Sequence, residues 1–231
     1  MKIAVCMSGL ARTFAKCYPS YKEHIFDKYD CDIFVHISKD GNSPALDVMS
    51  CVKKVVLEKN PVLDEKDYRN YKRKCKKYSV QGLLQQFWKI SMCHKLMLDY
   101  QKEKGINYDW VIRCRPDLNI LGPLPDLSKL DPQYMYIPMH SRYASHYERM
   151  FGGADNLYAD NFVYDYRDCV PDQIAISSVS LMNIYASRYD ELDELVYKRA
   201  GELHAEGSLR MHLKYYGIKI KFLRTLFKIE R

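Results

Sequence analysis

Asp109-Trp110-Val111-Ile112-Arg113-Cys114-Arg115-Pro116-Asp117-Leu118 is the stretch on which the reading of this chain turns. Val111 and Ile112 are β-branched, and Trp110 and Cys114 are bulky or commonly buried, so the first half reads as a strand inside a sheet. Pro116 has no backbone N–H and stops the ladder. Asp117 therefore stands just past the carboxyl end of a strand, the edge at which open α/β sheets bind ligands. Two arginines and a carboxylate at such an edge suit a diphosphate, alone or with a metal ion. The plainer reading is an Arg–Asp pair that closes a turn.

Upstream of this strand, Val80, Leu83, Leu84, Phe87, Ile90, Met97 and Leu98 fall on one stripe at helical spacing. Ser79 can cap that helix and Gly105 can end it, so a long helix is expected over 79–104. It leads directly into the strand, which places the strand parallel to its predecessors. His94 lies within the stripe and reads as core-adjacent. Lys2–Met7 and Asp32–Ile37 read as buried strands and Val52–Leu57 as a third strand, with a helix over Cys17–Tyr29 whose first turn accepts Pro19. This β-α-β-α-β opening predicts an α/β protein of the doubly wound kind.

Ser8-Gly9 follows the first strand, and Arg12 follows the turn. A strand, a tight turn and a basic residue at a helix start can cradle a phosphate, which makes Gly9 and Arg12 candidate ligands. One glycine is neither a dinucleotide fingerprint nor a P-loop, and Arg12 reads equally well as a solvated residue. His36, near the end of the second strand, reads as a packed core histidine.

Downstream come a Gly-Pro-Leu-Pro link at 122–125, a short strand at Tyr134–Pro138 and an irregular region over 141–166. A loop that long suggests a lid or an acceptor-binding segment. Ile174–Ile176 reads as a strand, and Ser178 as the cap of a helix over Val179–Tyr189. Asp172 precedes that strand and suits a general base or an acceptor-binding carboxylate, or simply a turn. His204, Glu206 and His212 are candidate late ligands for a metal or a phosphate, and read equally well as helix-start or surface residues. A helix is expected over Leu209–Tyr216, then a last strand at Lys219–Phe222. The tail 222–229 mixes basic and apolar residues and reads as an edge packed on the domain rather than a membrane contact.

The chain's 231 residues are 47% hydrophobic with a formal charge of +7, which excludes global disorder and favours anionic partners. The eight cysteines form no C-x-x-C pair, so reduced, mostly buried thiols are expected rather than a disulfide framework or a zinc site. The apolar run Ile3–Met7 is too short for a signal peptide, and no stretch has the length of a membrane span, so a cytoplasmic protein is expected. Tyrosines interleave with basic residues over 68–78. That segment suits nucleic acid, an anionic donor or a lipid surface, and reads more plainly as a solvated face.

The opening Met-Lys-Ile-Ala-Val-Cys-Met-Ser-Gly-Leu-Ala-Arg-Thr-Phe, the strand Cys-Asp-Ile-Phe-Val-His, the stretch from Tyr108 to Leu118, Asp-Gln-Ile-Ala-Ile-Ser-Ser and the late His-Ala-Glu resemble a family of glycosyltransferases. These occur in bacterial surface-polysaccharide loci and in large DNA viruses. The resemblance implies a single GT-A-like, Rossmann-like domain over 1–231, with a mostly parallel central sheet flanked by helices. Residues 1–120 would be the nucleotide-sugar half and 121–231 the acceptor half.

It further implies a nucleotide-sugar donor, a glycan or glycolipid acceptor, peripheral membrane contact at most and no nucleic acid. Such enzymes hold the donor through a divalent metal on Asp-x-Asp. Here the matching position is Arg115-Pro116-Asp117, so Mn²⁺ or Mg²⁺ would rest on Asp117 with His204 or His212, or Arg113 and Arg115 would neutralise the diphosphate directly. Asp172 falls where the acceptor's base is often placed, and an inverting reaction is weakly favoured. The competing readings are a basic nucleic-acid-binding protein and a non-catalytic nucleotide- or carbohydrate-binding domain of the same fold.

Overall fold

The computed structural model describes residues 1–39, 51–66, 68, 79–143, 158–159, 170–200 and 203–230. Their framework is one mixed sheet. Its strands are β1 (Ile3–Gly9), β2 (Cys31–Ser38), β3 (Val52–Glu58), β4 (Trp110–Cys114), β5 (Leu118–Ile120), β6 (Tyr134–His140), β7 (Tyr158–Ala159), β8 (Ile174–Ser177) and β9 (Lys219–Ile229). The order is β3-β2-β1-β4-β8-β6-β9-β5, and β7 also pairs with β9. The pairings run β1 to β4, β6 and β9 in one direction and β5, β7 and β8 in the other, so the sheet is mostly parallel. Helices α1 (Phe14–Tyr21), α2 (Val80–Lys104), α3 (Val179–Ala186) and α4 (Ala205–Tyr215) flank it.

Side-chain alternation along β1 and β4 builds the two cores. Ile3, Val5 and Met7 join Trp110, Ile112 and Cys114 in the core shared with α1, while Ala4, Cys6 and Val111 face the core shared with α2, α3 and α4. Arg113 has the parity of Val111 and so lies on the α2 side. The chain goes from β1 to β2 and β3, then returns through α2 to β4 on the other flank of β1. The sheet therefore has its topological switch point between β1 and β4, where α/β folds open a crevice.

The long helix begins and ends as expected. Ser79 Oγ accepts from Gly82 N at 2.9 Å, and Gly105 takes a left-handed cap with φ 62°. Elsewhere the boundaries differ. α1 starts at Phe14, so Pro19 sits inside it rather than in the first turn, and the chain widens into a π-helical turn at Lys22–Phe26. Pro19 has no N–H to give to the turn before it, so that turn lacks one helical bond. Ser178 stands at the N-cap of α3 but makes no side-chain cap bond; its hydroxyl donates to the Pro132 carbonyl at 3.1 Å. The helix expected over 179–189 ends at Ala186. α4 starts four residues before the expected Leu209, because His204 Nδ1 accepts from Gly207 N at 3.1 Å and serves as its cap.

The tail is not an edge. β9 runs eleven residues between β6 on one side and β5 and β7 on the other. Its lysines conceal this, yet Lys221 lays its stem in the sheet with Nζ 4.1 Å from the Tyr134 ring centroid. No helix among the described residues is long and apolar enough to cross a membrane.

Candidate functional site

A cleft of about 170 Å³ opens at the carboxyl edge of β1, β2 and β4. The strands contribute Ser8, Gly9, Ser38, Arg113 and, one residue beyond β4, Arg115; α2 contributes Gly82, Gln86 and Lys89. Gly9 has φ +132°, a conformation that other residues rarely adopt, so the turn out of β1 depends on glycine.

Lys89 dominates the α2 wall. It is only 3% exposed, and its Nζ has no hydrogen-bond acceptor. The Trp88 ring centroid lies 5.7 Å from Nζ. Burial pushes the Lys89 ammonium below its ordinary pKa, and the Glu58 carboxylate only partly opposes this. Nearby, His36 Nε2 is 2.5 Å from Glu58 Oε1, and its ring packs on Trp88 with centroids 5.0 Å apart. Burial lowers the His36 pKa against the pull of Glu58, so His36 is a packed histidine beside the cleft. Arg113, fully buried, donates from Nη1 to the Asp172 carbonyl, while its Nε has no partner.

Asp117 faces Arg115. Nε and Nη2 of Arg115 donate to the two carboxylate oxygens at 2.8 and 2.6 Å, a bidentate pair. Burial works against the Arg115 charge, yet the Asp117 carboxylate outweighs it and lifts the guanidinium pKa above its usual value. The turn is fixed from outside as well: Arg115 N donates to Gln173 O at 3.1 Å, Glu230 N to Asp117 O at 2.9 Å, and the Tyr21 hydroxyl to Arg115 O.

Asp172 is buried behind the cleft wall. Gln86 Nε2, from the wall itself, donates to Oδ2, and Gln173 Nε2 donates to Oδ1 at 2.9 Å. Arg188, also buried, lies 3.8 Å from Oδ2, with its guanidinium 4.0 Å over the Phe87 ring and its Nη1 donating to Ala205 O at 2.6 Å. Gln173 Nε2 also donates to Glu206 Oε1 at 3.0 Å, so one amide links two carboxylates. Burial, and then the charge of Asp172, raise the Glu206 pKa.

The expected site residues thus separate. Gly9, Arg113 and Arg115 line the cleft, with Asp117 behind Arg115 and Asp172 behind Gln86. Arg12 is exposed and is not among the cleft's described lining. His204 and His212 do not meet: eight residues apart on one helix axis, they are separated by about 12 Å. His204 caps α4, and His212 is fully buried, its Nε2 2.8 Å from Ile184 O and 3.2 Å from Ser187 Oγ.

Among the described residues, no three His, Cys, Asp or Glu side chains gather in a metal-holding group, and none of the cleft's lining residues is acidic. Both Asp117 oxygens accept from Arg115, and His204 and His212 are engaged elsewhere on α4. Of the basic stretch at 68–78 only Tyr68 is described, and most of the loop over 141–166 also lies outside the described residues.

Lys89, Gln86 and Arg188 complete the site without having been expected there, while Glu206, a candidate late ligand in the sequence, meets Asp172 through Gln173. A signal for the first two exists in the sequence: Gly82, Gln86, Lys89 and Cys93 recur at helical spacing, a partly polar stripe beside the apolar one.

The model of one protein family, described as Domain of unknown function (DUF7796), matches residues 1–162. That span holds every described residue of the cleft lining, while Asp172, Arg188 and Glu206 lie beyond it. No curated protein matches the chain.

Proposed function

The chain belongs to this DUF7796 family, and we propose that it is a nucleotide-sugar-dependent glycosyltransferase built on a GT-A-like domain. The observation that carries the reading is the cleft at the β1/β4 switch point, walled by Lys89, Arg113 and Arg115. Such an edge is where α/β sheets take nucleotides, and three cations there match a diphosphate.

The chemistry follows from charge. When a sugar leaves a nucleoside diphosphate, negative charge grows on the departing oxygen, and fixed cations stabilise that transition state more than the ground state. Asp172 stands directly behind the wall. A glycan or glycolipid hydroxyl that displaced the Gln86 amide would donate to the same Oδ2 and find a general base there. Until then Asp172 orients Gln86 and anchors Arg188. The product would belong to surface-polysaccharide or glycoprotein-glycan synthesis, at the cytoplasmic side of a membrane.

A panel of UDP- and GDP-sugars tests this by thermal shift and donor hydrolysis. A donor at a hundred times its Kd should stabilise the fold by about 2.7 kcal/mol. Asp172→Asn should then abolish transfer while retaining donor binding. The absence of both a thermal shift and hydrolysis across the panel overturns the reading. A second reading, a binding domain without turnover, is favoured by the full engagement of both Asp172 oxygens. It predicts donor binding in the wild type with no hydrolysis or transfer to any acceptor.

A further inference from the structure

We infer that the cleft receives a diphosphate directly on Lys89 and Arg113, with no divalent cation between ligand and protein. The inference rests on the reading of the cleft as a donor site only for what the diphosphate is attached to.

Three observations lead to it. Lys89 Nζ and Arg113 Nε are both buried without an acceptor, and both residues line the same cleft. A buried cationic N–H without an acceptor is costly, and an arriving oxyanion supplies what it lacks. The carboxylate at the position expected for a metal ligand is occupied, since both Asp117 oxygens accept from Arg115 at 2.8 and 2.6 Å. The remaining described lining is neutral or cationic, with Ser8, Ser38, Asn60 and Gln86 as further hydrogen-bonding groups and no carboxylate to hold a cation. A metal-bridged diphosphate needs oxygen ligands from the protein. A directly bound one needs cationic donors, and these are what the cleft offers. Lys89 comes from α2 and Arg113 from β4, so the two approach a ligand from two elements.

The experiment is titration calorimetry of the full chain with pyrophosphate and with UDP, each in EDTA and in Mn²⁺. Both ligands should bind in EDTA, and Mn²⁺ should not be required. Lys89→Met should weaken binding about ten- to a hundredfold, the loss expected for one charge-assisted contact. Lys95→Met, an exposed lysine on the same helix, should bind like the wild type. The folding of Lys89→Met is checked by its melting temperature, which should rise because a buried charge has been removed. Lys89→Gln provides a second neutral variant. Binding that needs Mn²⁺, no binding at all, or unchanged affinity in both Lys89 variants would each overturn the inference. Pyrophosphate binding through Lys89 without a response to any nucleotide sugar would leave it standing and overturn the glycosyltransferase reading instead.

Discussion

Two sets of charged groups stand at the carboxyl edge of the parallel strands, and they are completed differently. The carboxylates are enclosed: Asp117 by the guanidinium of Arg115, and Asp172 by Gln86, Gln173 and Arg188. The cations Lys89 and Arg113 line the cleft, and each keeps a buried donor without an acceptor; Arg188 keeps two, at Nε and Nη2, but is not part of the cleft's lining. Carboxylates satisfied in this way act as scaffold in the unliganded chain, holding the turn after β4 and the seam between α2 and α3; Asp172 turns to base work only when an acceptor displaces Gln86. Buried donors without acceptors weaken the fold, and proteins keep such groups where a ligand completes them. The contrast assigns donor binding to the cleft's cations and, until an acceptor arrives, support to its acids.

The contrast can be broken at several points. Arg188→Ala strikes the enclosed set hardest, since it leaves Asp172 short of a cation and removes the guanidinium stacked on Phe87. A loss of about 3–5 kcal/mol is expected from urea unfolding. A change below about 0.5 kcal/mol, the ordinary range for surface substitutions, would mean that the set is not structural.

Asp117→Ala should cost about 1–2 kcal/mol while leaving pyrophosphate affinity in EDTA equal or tighter, because Arg115 is released toward the cleft. Weaker binding would return Asp117 to the ligand-holding side.

Lys89→Met reverses the sign. The fold should gain about 1 kcal/mol, read as a rise of about 2–4 °C in melting temperature. The pH dependence sharpens this. The folded-state pKa of Lys89 is lowered, so the unfolded chain holds the proton to higher pH. Wild-type stability therefore rises between the folded and the unfolded pKa and is lost as pH falls through the folded one. The advantage of Lys89→Met should be full at low pH and vanish above the ordinary lysine range. An advantage that does not change with pH would contradict the assignment.

Glu206→Gln should have the smallest effect. Because burial and Asp172 raise its folded pKa, wild-type stability falls as pH rises from the unfolded to the folded value, and the glutamine should flatten that slope in pH-dependent unfolding.

Much of the framework was legible because local signals agreed with the tertiary outcome. The Ser79 cap, the apolar stripe and Gly105 fix α2 to the residue, and β1, β2 and β4 are near-continuous apolar runs. The direction of β8 was not legible. Ile174-Ala175-Ile176 reads as a strand in either sense, and only the connection around it sets it antiparallel between β4 and β6. β5 has three residues and exists because β9 pairs with it, a distant partner that no local pattern announces.

The site was legible in the same measure. Arg113 and Arg115 follow from strand parity and a proline stop. Lys89 does not, because burial of a lysine within a helix depends on what the facing strands leave open. Nor does the engagement of Asp117, which needs the turn geometry that aims Arg115 back at it.

The most direct test of the central claim is a crystal structure of the full chain with UDP in EDTA. The account predicts a diphosphate oxygen about 3 Å from Lys89 Nζ, with the Arg115–Asp117 pair intact. A diphosphate bound away from Lys89, or one seen only with Mn²⁺ resting on Asp117 after that pair has opened, would contradict it.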